Sequence, residues 1–142
     1  MREGREFLET WFKRVWGDED QSAIDELFPS TGKAEGLGQQ TLVGPEDFKI
    51  FHNSICELLS AIDISIDKYI EEGSWSSALC TMRAVSKENG EAVTISGNVF
   101  VRLENGQIQE GYNNFDFMSM WSQLGFLPAD CFEQGLNGEK VV

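Results

Sequence analysis

The fold of this chain is decided by one stretch, Asn105–Pro128, with the sequence NGQIQEGYNNFDFMSMWSQLGFLP. Its first two residues, Asn-Gly, are preferred in a two-residue hairpin turn that needs positive φ at both positions. We therefore expect Val99–Leu103 and Gln107–Phe115 to pair as antiparallel strands. The second strand leads to Asp116, a carboxylate between two phenylalanines, and an apolar helical pattern follows.

The length and composition indicate one globular domain. The chain has 142 residues, of which 41% are hydrophobic and 11% aromatic, enough for one sizeable core. We expect a single domain over residues 1–142, with a core at 6–128 and a loose tail at 129–142.

The charge of the chain excludes some classes of partner. Eleven Lys and Arg stand against twenty-four Asp and Glu, a formal net charge of −13. Such a chain repels the phosphates of nucleic acids and of anionic membranes, so we expect neither as a partner. No apolar run is long enough to span a membrane. A small apolar or polycyclic ligand fits this composition better.

The cysteine pattern indicates reduced thiols. Cys56, Cys80 and Cys131 are odd in number and widely spaced, and no Cys-x-x-Cys motif is present. We therefore expect a cytoplasmic protein. The sequence also has no metal-ligand cluster and no phosphate-binding glycine loop, so we predict no metal site and no cofactor.

The first half of the chain shows helical periodicity, because its apolar residues recur at three- and four-residue intervals. Three helices are predicted in this way, at residues 6–16, 23–28 and 45–59. Asp18 and Asp20 are candidate caps of the second helix, and Pro45 suits the first turn of the third. Between these helices we expect a loop at Pro29–Gly38 and a brief extended piece around Gln40–Val43.

After the third helix the period changes to two. Ile62, Ile64 and Ile66 alternate with polar residues, which is typical of a strand with one buried face. Longer strands are predicted at 75–86, 92–103 and 107–115, with a last helix at 117–124. This order predicts an α+β domain in which N-terminal helices cover one face of a curved antiparallel sheet. Such curvature creates a pocket.

The chain resembles the polyketide-cyclase-like (SnoaL-like) branch of the nuclear transport factor 2-like superfamily. The resemblance rests on the order of elements, on Gly44 before a helix, and on the segments GQIQEGYNNFD and FMSMWSQLGFLP. It covers residues 7–128 and implies a cone-shaped half-barrel with a deep apolar pocket, commonly in a homodimer. Members of this family include cyclases, isomerases and epoxide hydrolases, so the fold alone does not define the function.

Asp116 matches the position at which cyclase members carry a pocket aspartate. The resemblance implies that it acts as general acid/base on an apolar carbonyl substrate. The alternative role is capping of the last helix. Tyr112 and Asn114 share the parity of Asp116, so the three side chains should face one side of the sheet. In the pocket, Tyr112 and Asn114 would position the substrate; alternatively, Tyr112 packs in the core with its hydroxyl at the rim.

Arg83 lies within an apolar strand, where a half-buried guanidinium needs an anionic partner such as Asp116. Its alternative place is the outer face, with the stem packed on the sheet. The resemblance to limonene-epoxide hydrolases fails at their Asp-Arg-Asp arrangement, because Val85 stands where the second Asp would be. Epoxide hydrolysis by that route is therefore not predicted.

His52 and Trp75 complete the candidate binding residues. His52 is the only histidine, and it can serve as an acid or base or as a satisfied structural side chain. No second ligand stands beside it at metal-binding spacing. Trp75 belongs to a set of aromatic residues that either line an apolar cavity or fill the core.

Two functions follow from these observations. The first is a small-molecule-binding SnoaL-like protein that works as a cofactor-independent cyclase or isomerase, with Asp116 as acid/base and Arg83 as stabiliser. The second is a non-catalytic ligand-binding or protein-interaction module of the same fold.

We also expect a homodimer formed through the outer face of the sheet. One apolar set of side chains on the strand predicted at 92–103 has no helix left to cover it. That set is Val93, Ile95, Val99 and Val101.

Overall fold

A computed structural model describes residues 3–142 as helices packed on one sheet. Its helical elements are α1 (Glu3–Trp11), a π-helical segment (Phe12–Gly17), α2 (Gln21–Leu27), α3 (Gly44–Leu58), α4 (Phe117–Gln123) and α5 (Cys131–Leu136). Its strands are β1 (Lys33–Glu35), β2 (Leu42–Val43), β3 (Leu59–Glu72), β4 (Trp75–Ser86), β5 (Ala92–Glu104) and β6 (Gln107–Phe115). The predicted α+β class is confirmed.

The six strands form one curled, unclosed sheet in the order β2-β1-β6-β5-β4-β3. The long strands β3 to β6 pair antiparallel with their neighbours, whereas β1 pairs parallel with β6. The sheet is therefore mixed. The parallel strand, β1, lies within Pro29–Gly38, where the sequence predicted a loop. The prediction missed it because three residues with one buried side chain give too short a pattern to identify.

Local sequence signals predicted the turn and one of the two candidate caps, Asp20, correctly. Asn105 and Gly106 have φ values of 55° and 70°, as the predicted hairpin turn requires. The Asp20 side chain accepts a hydrogen bond from the backbone N–H of Ser22 at 2.9 Å and so caps α2.

Aromatic side chains join the helices to one another above the sheet. The ring of Phe48 on α3 lies 5.2 Å from that of Trp11 and 5.4 Å from that of Phe28, measured between centroids. Pairs of this kind contribute about 0.5–1.5 kcal/mol beyond the burial of their area. The helical layer is thus held by contacts between α1, α3 and the segment after α2.

β6 contains one residue more than β5 near their common turn. Leu103 pairs with Ile108, but Arg102 pairs with Glu110, so Gln109 has no partner on β5. An extra residue of this kind is a β-bulge, and it reverses which side chains face inward beyond it. The inward positions beyond the bulge are Gly111, Asn113 and Phe115.

The last fourteen residues, 129–142, include more structure than a loose tail. They contain helix α5, and its Cys131 is only 4% exposed. Cys56 and Cys80 are also buried and all three thiols are free. Burial raises the pKa of Cys56 to about 11 and that of Cys80 to about 12, which keeps both thiols protonated at neutral pH.

The loop that follows β1 crosses β6 in contact with its backbone. Gly36 has a φ of +87°, and a Cβ built on it would overlap the carbonyl oxygen of Asn113. Only glycine allows both this conformation and this approach. Gly38, two residues later, also has a positive φ, +111°, but nothing lies within 4 Å of a Cβ built there.

These two glycines give a matched pair of substitutions. Gly38→Ala should lower the free energy of unfolding by about 1–2 kcal/mol, the cost of a left-handed backbone for a residue with a Cβ. Gly36→Ala should carry that cost and about 1–3 kcal/mol more, because the new methyl group meets backbone that must move. Urea denaturation of both variants measures the difference. Equal losses would show that the loop does not rest on β6.

Candidate functional site

The helices and the inner face of the sheet line an apolar cavity of about 80 Å³ that is partly open to the surface. Fully buried side chains from the helical layer and from β5 form its walls. They include Leu8, Trp11, Phe48, Ile95, Val99 and Val101. Half-buried lining residues lie where the cavity approaches the surface: Leu37, Phe51, Phe115 and Phe117.

None of the described residues that line this cavity has an ionisable side chain. Asn113 is the only one of them whose side chain carries an oxygen, and Trp11 and Trp16 contribute indole N–H groups. A charged group inside would lose its hydration without gaining a counterion. The cavity therefore favours a neutral, mainly apolar ligand.

The size of the cavity restricts what it can hold. Pockets for drug-sized ligands usually measure about 300–1,000 Å³, and a cavity of about 150 Å³ accommodates benzene. At about 80 Å³ this cavity has room for a few heavy atoms unless its half-buried rim moves. The polycyclic ligand allowed by the sequence analysis does not fit the cavity in this structure.

Asp116 lies outside the cavity. Its side chain is exposed, and Oδ1 accepts a hydrogen bond from the backbone N–H of Ser119 at 3.0 Å, which caps α4. The structure therefore corrects the expectation of a pocket carboxylate and supports the alternative role, helix capping.

Tyr112 and Asn114 face the same side of the sheet as each other, but that side is the outer one. Tyr112 is 36% exposed and donates its hydroxyl proton to Glu110 at 2.8 Å, and Asn114 is exposed opposite Asn98. Their expected place in the pocket is wrong because the bulge at Gln109 reverses the alternation of β6.

A small charged network accompanies Tyr112 on the outer face. Arg102 Nε donates to Glu110 at 2.7 Å, and this bond lowers the pKa of that carboxyl. The hydrogen bond to Glu110 in turn raises the pKa of Tyr112. The hydroxyl is therefore kept as a donor to a surface carboxylate, on the face of the sheet opposite the cavity.

Arg83 also lies on the outer face. It is exposed, pairs across the sheet with Asp63, and makes a 3.4 Å hydrogen bond to the Ser65 hydroxyl. Among the described residues no ion pair joins it to Asp116. The structure supports the alternative outer-face placement, with the stem along the sheet.

Trp75 belongs to an aromatic row on the outer face. Its ring stacks on that of Phe100, with a centroid distance of 4.6 Å and an interplanar angle of 17°, and the ring of Tyr112 lies 6.5 Å away. Trp75 does not line the cavity. The row, which we call the outer aromatic row, consists of Trp75, Phe100 and Tyr112.

His52 is a structural side chain. It is 2% exposed and its Nε2 lies 2.6 Å from the carbonyl oxygen of Val15, to which it donates. Nδ1 lies 3.3 Å from the amide Nε2 of Gln21, so both ring nitrogens have partners within the protein. His52 does not line the cavity.

The cavity residues that the sequence analysis missed are Gly111 and Asn113 on β6. They follow the bulge, and nothing in the local sequence marks Gln109 as the unpaired residue. Gly111, a glycine within a strand of larger residues, was the one available signal, because a strand glycine often accompanies a bulge.

Two further observations concern the described part of the chain, residues 3–142. No group of three or more His, Cys, Asp or Glu side chains there is placed to hold a metal ion. None of its helices combines the length and the apolar character needed to cross a bilayer.

Comparison with solved structures identifies the class of fold. A protein with a ketosteroid isomerase-like fold from Catenulispora acidiphila DSM 44928, solved with trimethylamine, superposes with a TM-score of 0.74 at 18% identity, covering 88% of this chain and 95% of the other. IdmH of Streptomyces antibioticus, provisionally assigned as a polyketide cyclase, superposes with a TM-score of 0.74 at 13% identity, covering 87% and 99%. An NTF2-like protein of unknown function from Burkholderia pseudomallei K96243 gives 0.72 at 19% identity, covering 87% and 98%. At these identities the likeness shows the fold alone.

The sequence itself identifies the family. The family model of the SnoaL-like domain matches residues 8–111, more than half of the chain. The chain therefore belongs to the SnoaL-like domain family. No curated protein matches it in sequence.

Substitution of Asp116 distinguishes a helix cap from a pocket acid. Asp116→Ala should lower the free energy of unfolding by about 1 kcal/mol, because the Ser119 N–H loses its acceptor, whereas Asp116→Asn should change it by only a few tenths. Chemical denaturation measures both. A large loss in Asp116→Asn would show that the negative charge, and so some partner beyond the cap, is required.

Proposed function

We propose that this SnoaL-like protein binds a small, neutral, mainly apolar molecule in its inner cavity. The proposal is carried by one observation, the cavity between helices and sheet whose described lining residues are apolar except for one amide and two indole N–H groups. A preformed apolar cavity with few polar groups is the usual form of a small-molecule site. The membership in the SnoaL-like family supports the same reading.

Binding without catalysis is favoured over the cyclase or isomerase mechanism based on Asp116. General acid/base catalysis needs a titratable group within hydrogen-bond reach of the substrate. Asp116 is exposed at the cap of α4, and the described cavity lining offers no ionisable group in its place. The cyclase assignment of IdmH concerns that protein, and at 13% identity it supports a shared fold only.

A cavity-filling variant tests the proposed site. Gly111 lines the cavity, and a Cβ built there would make only ordinary contacts, at 3.4 Å from Val101 and 3.8 Å from Ile108. Gly111→Val should therefore fold and occupy the space that a ligand needs. Ser96→Val adds a similar side chain on the exposed outer face of β5 and is the control.

Benzene is a suitable probe because it enters dry apolar cavities. It is larger than the present space of about 80 Å³, so its entry requires the half-buried rim to move. At ten times its dissociation constant it should stabilise wild type and Ser96→Val by about 1.4 kcal/mol, which is about 3–6 °C in Tm. Gly111→Val should show no such increase in a thermal unfolding assay. Equal stabilisation of all three proteins would place benzene elsewhere and contradict the proposed site.

We further propose that two copies of the chain pair through the outer face of the sheet. The reason given by the sequence analysis is wrong, because Val93, Ile95, Val99 and Val101 are 1–5% exposed and face inward. Other apolar side chains are exposed instead: Ile70 at 72%, Leu79 at 40%, Phe100 at 44% and Tyr112 at 36%. Phe100 and Tyr112 belong to the outer aromatic row, and Ile70 and Leu79 extend this exposed apolar patch on the sheet. Such patches commonly mark interfaces.

A charge placed in the outer aromatic row should separate the copies. Phe100→Glu removes a central apolar contact and buries a carboxylate in any face-to-face dimer, so light scattering should report half the mass of wild type. Gln39→Glu makes a similar change of charge on an exposed loop and should leave the mass unchanged. A wild-type chain that is monomeric at micromolar concentration would contradict the dimer.

A reducing, cytoplasmic location also remains a proposal. It is supported by the three free thiols, all of them buried and none of them paired. Free cysteines of this kind persist where the surroundings are reducing.

A further inference from the structure

We propose that Asn113 is the residue that selects and orients the ligand, and that the ligand is an apolar molecule with one neutral O–H or N–H donor. The side-chain oxygen of Asn113 would accept that hydrogen bond, while the apolar body occupies the cavity. This inference rests on the proposed function and adds the class of ligand to it.

The position of Asn113 in the sheet places its side chain on the cavity side. It pairs with Val99 on β5 and lies between Gly111 and Phe115 in the inward set that follows the bulge. Val99 is 3% exposed and lines the cavity, whereas Asn113 itself is half-buried. Asn113 therefore lies between the closed end of the cavity and its rim.

A hydrogen bond fixes which way the amide of Asn113 is turned. Nδ2 donates to the carbonyl oxygen of Glu35 on β1 at 2.9 Å. A carbonyl oxygen only accepts, so the amide nitrogen must point toward Glu35. Oδ1 then lies at the other end of the amide group. The backbone of Gly36 packs against the backbone of Asn113 and so fixes the strand position from which this side chain projects.

Oδ1 is left with its acceptor capacity unused. No hydrogen bond from residues 3–142 reaches it, while no buried side-chain oxygen or nitrogen in this part of the chain lacks a partner. Oδ1 is thus accessible, because an inaccessible acceptor without a partner would count among the unsatisfied groups. An oriented, accessible acceptor beside apolar walls costs free energy when a ligand covers it without donating.

The charges around the site restrict the chemical class of the ligand further. A carboxylate or phosphate has only acceptors at neutral pH and would face Oδ1 with repulsion, in a chain of net charge −13. A protonated amine would be buried without an anionic partner, since none of the described lining residues is charged. A neutral alcohol, phenol or N–H heterocycle satisfies both conditions.

Three probes of similar shape separate these possibilities. Phenol has a donor, anisole has an acceptor only, and benzene has neither. Dissociation constants are measured by two-dimensional NMR on the full chain, with the indole signals of Trp11 and Trp16 as cavity reporters. The wild type should bind phenol about 3–10 times more tightly than anisole, the value of one net hydrogen bond.

Substitution of Asn113 completes the test. Asn113→Leu keeps a side chain of similar size and removes the acceptor, so phenol and anisole should bind it equally while benzene binding is retained. Ser77→Leu, on the outer face of β4, is the control and should keep the preference for phenol. If Asn113→Leu does not fold, equal binding of phenol and anisole by wild type would still overturn the role of Asn113, and Asn113→Ala then replaces Asn113→Leu in the comparison.

The outcomes separate this inference from the proposed function. Benzene binding without a preference for phenol in wild type, or a preference that persists in Asn113→Leu, would overturn the role of Asn113 and leave the cavity as a binding site. Failure of all three probes to perturb the two indoles would overturn the proposed function, and this inference with it.

Discussion

The structure depends on one unpaired residue, Gln109, in the hairpin of β5 and β6. Side chains alternate between the two faces of a sheet along a strand. One extra residue therefore exchanges the inward and outward positions of all the strand residues that follow it. Beyond the bulge the odd-numbered residues complete the cavity wall, and the even-numbered ones join the outer face. The inward placement of Gly111, Asn113 and Phe115, and the outward placement of Tyr112 and Asn114, follow from that reversal.

Buried polar groups are satisfied away from the cavity, which keeps its interior apolar. His52 is held by the Val15 carbonyl and by Gln21, and Ser76 lies 2.7 Å from the hydroxyl of Tyr69. Because each of these groups has a partner in the protein, none needs a ligand. Asn113 differs from them, since its Nδ2 bonds to the carbonyl oxygen of Glu35 while its Oδ1 is left accessible.

Much of the fold was predictable because its signals are local. The Asn105-Gly106 turn, the cap at Asp20 and the bounds of β4 and β6 can each be read from a few neighbouring residues. The candidate site was not predictable in the same way. Which face of β6 lines the cavity depends on the pairing with β5, and a bulge that costs little free energy has no fixed sequence pattern. Tyr112 and Asn114 were therefore grouped correctly but assigned to the wrong face.

The π-helical segment Phe12–Gly17 has a consequence for how the chain tolerates insertions and deletions. In an α-helix the residue above Trp11 on the same face would be Val15, four positions later. A π-helix closes its bonds over five positions, which brings Trp16 onto the face of Trp11, and both indoles line the cavity. Removing one residue between Trp11 and Trp16 would place the second indole four positions after the first, so α-helical winding would still keep both on one face. This segment should therefore accept a one-residue deletion that would rotate the apolar face of a regular α-helix out of register.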